Sequence, residues 1–131
     1  MPERVFTPEE ANALVPQLRP LLAQLREAHH ELGFARSQWQ ELESFGQGEG
    51  EEALAWREKT EALAARVVAL LDEVRAMGAV VKDPLQGLAD FPARRRDGSL
   101  VLLCYRDDEE RIGHWHPLEG GFAARRPLVD L

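Results

Sequence analysis

The sequence has one cysteine, Cys104, so no disulfide can close within the chain, and a reducing compartment is the expected setting. It has no apolar run of bilayer length, and no membrane-spanning helix is expected. No apolar stretch follows Met1-Pro2-Glu3-Arg4, so no secretory leader is expected either, and the protein is placed in the cytoplasm. A cationic excess is missing as well. Lys and Arg total 16 against 23 Asp and Glu, for a formal charge of −7. That balance argues against a nucleic-acid partner and against attachment to an anionic membrane. There is no Gly-rich phosphate loop leading into a helix, no G-x-S-x-G, no H-E-x-x-H and no C-x-x-C. The usual nucleotide-binding, serine-hydrolase and zinc-protease signatures are thereby excluded. Lys, Ile and Asn are scarce, with Arg outnumbering Lys 14 to 2, a codon pattern of GC-rich genomes.

What is present is enough for one globular domain. A chain of 131 residues buries a real core without staples. The charge is uneven: residues 1–78 carry 14 acidic and 8 basic groups, and residues 79–131 carry 9 and 8. Arg94-Arg95-Arg96 and Arg125-Arg126 read as a solvated turn and tail before they read as a phosphate site.

The first helix begins at Thr7-Pro8-Glu9-Glu10, a capping box with Pro at the first helical position. Leu14, Leu18, Leu21, Leu25, Ala28, Leu32, Ala35, Trp39 and Leu42 then recur at alternating steps of four and three, which is a heptad seam. A second seam runs Ala53, Trp56, Thr60, Leu63, Val67, Leu70, Val74, Met77, and Gly78 supplies a stop. Three glycines at 46, 48 and 50 break the helix between them, so the helices are expected to fold back antiparallel. Positions whose numbers sum to 95 then face each other, from Leu18 with Met77 to Trp39 with Trp56. Pro16 and Pro20 lie inside the first helix, and a kink or break is expected between residues 12 and 20. Val15, Leu22, Ala64 and Leu71 flank the seams and need a further cover.

After Gly78 the pattern shortens. Ala79–Lys82, Leu88–Ala93, Leu100–Tyr105 and Ile112–His116 read as extended segments, separated by Asp83-Pro84, Asp97-Gly98 and Asp107–Glu110. Pro92 assigns its segment to a sheet edge. The expectation is α+β: a long two-helix coiled-coil hairpin over 6–78, turning near 46–50, and a β-rich unit over 79–131 with about three antiparallel strands on the hairpin's open end. Phe34, Trp39, Phe45 and Trp56 fall toward the hairpin tip, beyond the sheet's reach. They mark a self-association or partner surface, unless Trp39 and Trp56 simply pack on each other.

Chemistry concentrates in the C-terminal unit. His114-Trp115-His116 on a strand points two imidazoles to one face and Trp115 to the core. The pair could bind zinc, iron or nickel, with a third ligand from Cys104, Glu109, Glu110, Asp83 or Asp90. Two surface histidines are the plainer interpretation. Cys104 lies in an apolar strand and reads as a buried, inert thiol. Asp90 and Glu109 are the candidate general bases. Lys82, Asp83, Arg125 and Arg126 are the candidates for an anionic ligand, with turn capping and ion pairing as the alternative for Lys82 and Asp83.

Several motifs occur in order: Phe6–Asn12, Gly78–Asp83, Gly87–Pro92, Leu103–Arg106, His114–His116 and Gly121–Arg125. On these, nearly the whole chain resembles the small bacterial family named domain of unknown function 2203. The resemblance implies that Lys82, Asp83, Asp90, Phe91, Cys104, Glu109 or Glu110, Trp115, His116 and Arg125 form a shared surface. The family pattern carries an aromatic just before Trp-His, where this chain has His114, which leaves His116 as the better metal candidate. Three functions follow, in order: a non-enzymatic binding or assembly module that forms homo-oligomers or binds a protein through its arm, a small metal-dependent hydrolase-like enzyme, and an anionic small-ligand binder.

Overall fold

The computed structural model describes residues 4–131; Met1, Pro2 and Glu3, on which the leader argument partly rests, lie outside the described residues. Helices α1 (Pro8–Ser44) and α2 (Glu51–Ala76) are followed by strands β1 (Val80–Asp83), β2 (Leu88–Arg94), β3 (Leu100–Arg106), β4 (His114–Pro117) and β5 (Arg126–Pro127). The class is α+β, as expected. No helix among the described residues is long and apolar enough to cross a membrane.

The capping box closes at both hydrogen bonds. The Glu10 N–H donates to Thr7 Oγ1 at 3.1 Å, and the Thr7 N–H donates to Glu10 Oε1 at 2.9 Å. Phe6 goes beyond a local staple: its N–H donates to the Pro92 carbonyl, and its ring meets Phe91 edge-on at 4.9 Å. At the same open end of the hairpin, just past α2, Gly78 adopts φ +98°, and a Cβ there would strike the Phe6 ring. One residue therefore both ends α2 and admits the ring that anchors the start of α1.

The expected break in α1 is absent, and the helix runs on through Pro16 and Pro20. Four residues apart, both prolines occupy the exposed side, while Val15, Leu18 and Leu22 are buried against the sheet and Val74. Burial of that face outweighs a proline cost of about 3 kcal/mol each. The seams are otherwise as expected. Leu25, Ala28, Leu32 and Ala35 cluster with Leu63, Val67 and Leu70. Gln24 bonds Arg66 near the sheet and Phe34 meets Trp56 toward the tip, numbers running in opposite directions as an antiparallel pair requires.

The sheet is a five-stranded antiparallel meander in the order β1-β2-β3-β4-β5, two strands more than expected. Of the short edges, β1 falls on the segment already read as extended over 79–82, and the two-residue β5 is too brief to carry any signal. Leu88–Arg94 is also corrected from an edge to an inner strand. Pro92 is tolerated there because β1 pairs only as far as Asp90. Its carbonyl points outward to Phe6, so the side that lacks an N–H has no neighbouring strand to satisfy.

Three side chains on one flank of α1, spaced by seven, tie the β unit to the hairpin. The Asn12 amide donates to the Ile112 carbonyl at 3.2 Å and accepts from its N–H at 2.7 Å. Arg19 donates to the Tyr105 hydroxyl and the Glu109 carbonyl. Arg26 donates to the Leu85 carbonyl and pairs with Asp107 at 2.8 Å.

Candidate metal centre

Strand alternation sorts the sheet into two chemistries. Ala89, Phe91, Leu103, Tyr105 and Trp115 enter the core beneath the helices. The opposite face carries a cross-strand row, Asp90 beside Cys104 beside His114, with His116 two positions further along β4. Phe91 and Trp115 therefore stand apart from the surface that the resemblance implies for them.

The segment after β4 folds over this outer face before returning as β5. Its Leu118 and Phe122 join Leu88 and Lys82 around a cavity of about 250 Å³, with Asp90, Cys104 and His116 in its wall and Glu119 and Gly121 in the covering loop. Two guanidinium groups, Arg106 at 5.1 Å and Arg125 at 4.5 Å, sit over the Phe122 ring and fix its position.

Asp90, Cys104 and His116 are 1 %, 2 % and 2 % exposed, and their ligand atoms lie within 4.8 Å of one another. Ligands of one tetrahedral zinc stand roughly 3.3–3.8 Å apart. Asp90 Oδ2 and His116 Nε2, 3.2 Å apart, stand just short of the lower end of that spacing and need to part only slightly to admit an ion. His116 Nδ1 is 2.7 Å from the Pro117 carbonyl, so its N–H donates there and Nε2 is the nitrogen turned to the group. A backbone carbonyl holding the other ring N–H is the usual second support of a metal-ligating histidine. Asp90 Oδ1 is buried with no hydrogen-bond partner.

Without an ion the group holds its protons tightly. Burial raises the Asp90 carboxyl above its ordinary value, against the opposing pull of His116. Burial, then the Asp90 charge, pushes the Cys104 thiol up to about 12. A free thiol of this kind is not a nucleophile at neutral pH, in keeping with the inert cysteine expected above. The same thiol becomes a thiolate when a transition metal displaces its proton.

The other candidates fall elsewhere. Glu109 is a buckle of the β3–β4 loop: Oε1 accepts from the Arg106 N–H and from Arg125, both at 2.7 Å, and Oε2 accepts from Arg125 at 2.9 Å. With both oxygens bonded to Arg125, this carboxylate is already paired within the fold and stands outside the Asp90-Cys104-His116 group. His114 turns toward Glu109, with Nδ1 3.9 Å from Oε2, so the two histidines share a face but belong to different groups. Asp83 accepts from the Leu85 and Gln86 N–H groups and caps its turn. Arg125 also donates to the Cys104 carbonyl at 3.0 Å, a bond internal to the fold. Arg126 is exposed, with its guanidinium 5.3 Å from the Trp115 ring. A wider cleft of about 470 Å³ between α1 and the β3–β4 loop is lined by Asn12, Pro16, Arg19 and Glu110 and gathers no comparable ligand set. Cys104 and Asp90 were two names among five possible third ligands; what singles them out is the register that sets β2 beside β3.

Fold and site together define an α+β domain in which a helical hairpin carries a meander with a buried Asp-Cys-His group on its outer face. The chain belongs to the family described as "Uncharacterized conserved protein (DUF2203)", which matches residues 4–128. No curated protein and no solved structure matches it.

Proposed function

We propose that the protein binds one transition-metal ion of the zinc, iron or nickel class through Asp90, Cys104 and His116. The observation that carries this is the convergence of three buried ligand atoms of three kinds within 4.8 Å, beside a cavity. Three protein ligands with a position left open are the pattern of catalytic rather than structural zinc, and such an ion polarises a bound water or carbonyl. Hydrolysis is the reaction class that fits. Elemental analysis of untagged protein, purified without chelator, tests the proposal beside Cys104→Ser and His116→Ala. About one ion per chain, lost in both variants, supports it. Protein that takes up no zinc, iron or nickel even when each is supplied contradicts it.

Self-association through the arm is a second reading. It is supported by the Phe34 ring, 59 % exposed although it leans on Trp56 at 5.6 Å, and by Phe45, 74 % exposed at the end of α1. Trp39 and Trp56 themselves are half-buried in or beside the seam.

A further inference from the structure

We infer that the cavity beside Asp90, Cys104 and His116 takes a small organic monocarboxylate, held by the ion and by the Lys82 ammonium. This rests on the ion-binding reading above.

The placement of Lys82 is the first observation. It lies on β1 between Val81 and Asp83, where the pairing with β2 slips: Val81 faces Ala89 and Asp83 faces Leu88. Such bulges re-aim side chains beside binding sites. Lys82 lines the cavity, and among the described residues it enters no ion pair; the carboxylates of Asp83, Asp107 and Glu109 are all engaged elsewhere. The cations Arg125 and Arg106 are likewise committed, to Glu109 and Asp108. Lys82 is thus the cation of the cavity wall that closes no ion pair among the described residues, although its charge acts on Asp90.

Charge balance is the second. A dication with one thiolate, one carboxylate and a neutral imidazole is locally neutral, so an arriving anion finds its counter-charge in Lys82. Glu119, exposed in the covering loop, stands against a second negative charge and favours a monoanion over phosphate or a dicarboxylate. The third is shape. Leu88, Leu118 and Phe122 offer apolar wall, and about 250 Å³ lies below the range of roughly 300–1,000 Å³ typical of drug-sized ligands. A carboxylate with an apolar body of a few carbons fits both properties.

Calorimetric titration of butyrate into the zinc-loaded full chain tests this, with butyramide and inorganic phosphate as comparators. Butyrate is expected to bind, with the other two weaker by about tenfold or more. Lys82→Met is expected to keep one zinc per chain and lose about tenfold in butyrate affinity, Lys82→Arg to recover it, and Glu119→Gln to bind butyrate at least as tightly as the parent. Butyrate that fails to bind the zinc-loaded protein, or binds Lys82→Met unchanged, overturns the inference and leaves the ion site standing. Phosphate preferred over butyrate overturns the ligand class. A parent protein that takes no zinc removes the ion reading and this inference with it.

Discussion

Asp90 is a carboxyl group in an otherwise apolar run, Leu88-Ala-Asp-Phe-Pro-Ala93, and it is almost wholly out of water. Burial raises its affinity for a proton in the folded, metal-free chain above that of the unfolded chain, whose aspartate titrates near the ordinary value of 3.8. Between that value and the raised one the folded state holds more protons, so the Asp90 contribution to stability is greatest at acid pH and falls as pH rises through the interval. Urea midpoints of metal-free protein across a pH series are expected to show this slope, and Asp90→Asn is expected to remove it. Parallel curves for parent and variant would mean that the carboxyl is not the group taking up the proton. At this scale the sequence was legible in part. Cys104 within Val-Leu-Leu-Cys-Tyr reads as a buried thiol, and it is buried. Glu109 reads as a free carboxylate in an acidic turn, because nothing local shows that Arg125, sixteen residues away, pairs with it.

Among the elements, α1 and α2 declared themselves: a seam of nine positions and a glycine-rich turn are local, periodic signals, and the middle of both seams is buried as written, while Leu14, Leu21, Trp39, Leu42, Trp56 and Met77 are half-buried. The prolines are the exception, since their outcome depends on what packs on the opposite face of the helix. With Pro20 exposed and the surrounding backbone helical, Pro20→Ala restores an N–H where the Pro16 carbonyl can accept it and is expected to stabilise the protein by up to about 3 kcal/mol. Denaturant melts check this. A loss of stability would show instead that the β3–β4 loop, which meets α1 around Pro16 and Arg19, depends on the proline geometry. The sheet was less legible than the helices. A strand of two residues such as β5 carries no period, and Pro92 reads as an edge signal until the shortness of β1 is known. The heptad-spaced Asn12, Arg19 and Arg26 escaped notice because polar residues on a helix normally face solvent; only the loops they hold reveal their purpose.

For the whole molecule, the β unit covers the open end of the hairpin, burying Val15 and Leu22 as anticipated, and leaves the far end of the arm to its own seam. If that arm associates with a second copy through Phe34 and Trp56, sedimentation is expected to show a mass that rises with concentration, and Phe34→Ser to return the protein to a monomer; a concentration-independent monomer in the parent removes this reading. The ion site is independent of the arm, because its residues lie on the face of the sheet turned away from the helices. Ion binding is expected to release the Cys104 proton, so affinity should weaken by about tenfold for each pH unit of acidification. The most direct test is the absorption spectrum of the metal-free chain titrated with cobalt(II). The account predicts a sulfur-to-cobalt charge-transfer band that saturates at one cobalt per chain and is absent from Cys104→Ser. A spectrum no different from that of aqueous cobalt, in protein shown to be folded, would contradict a centre built on Asp90, Cys104 and His116.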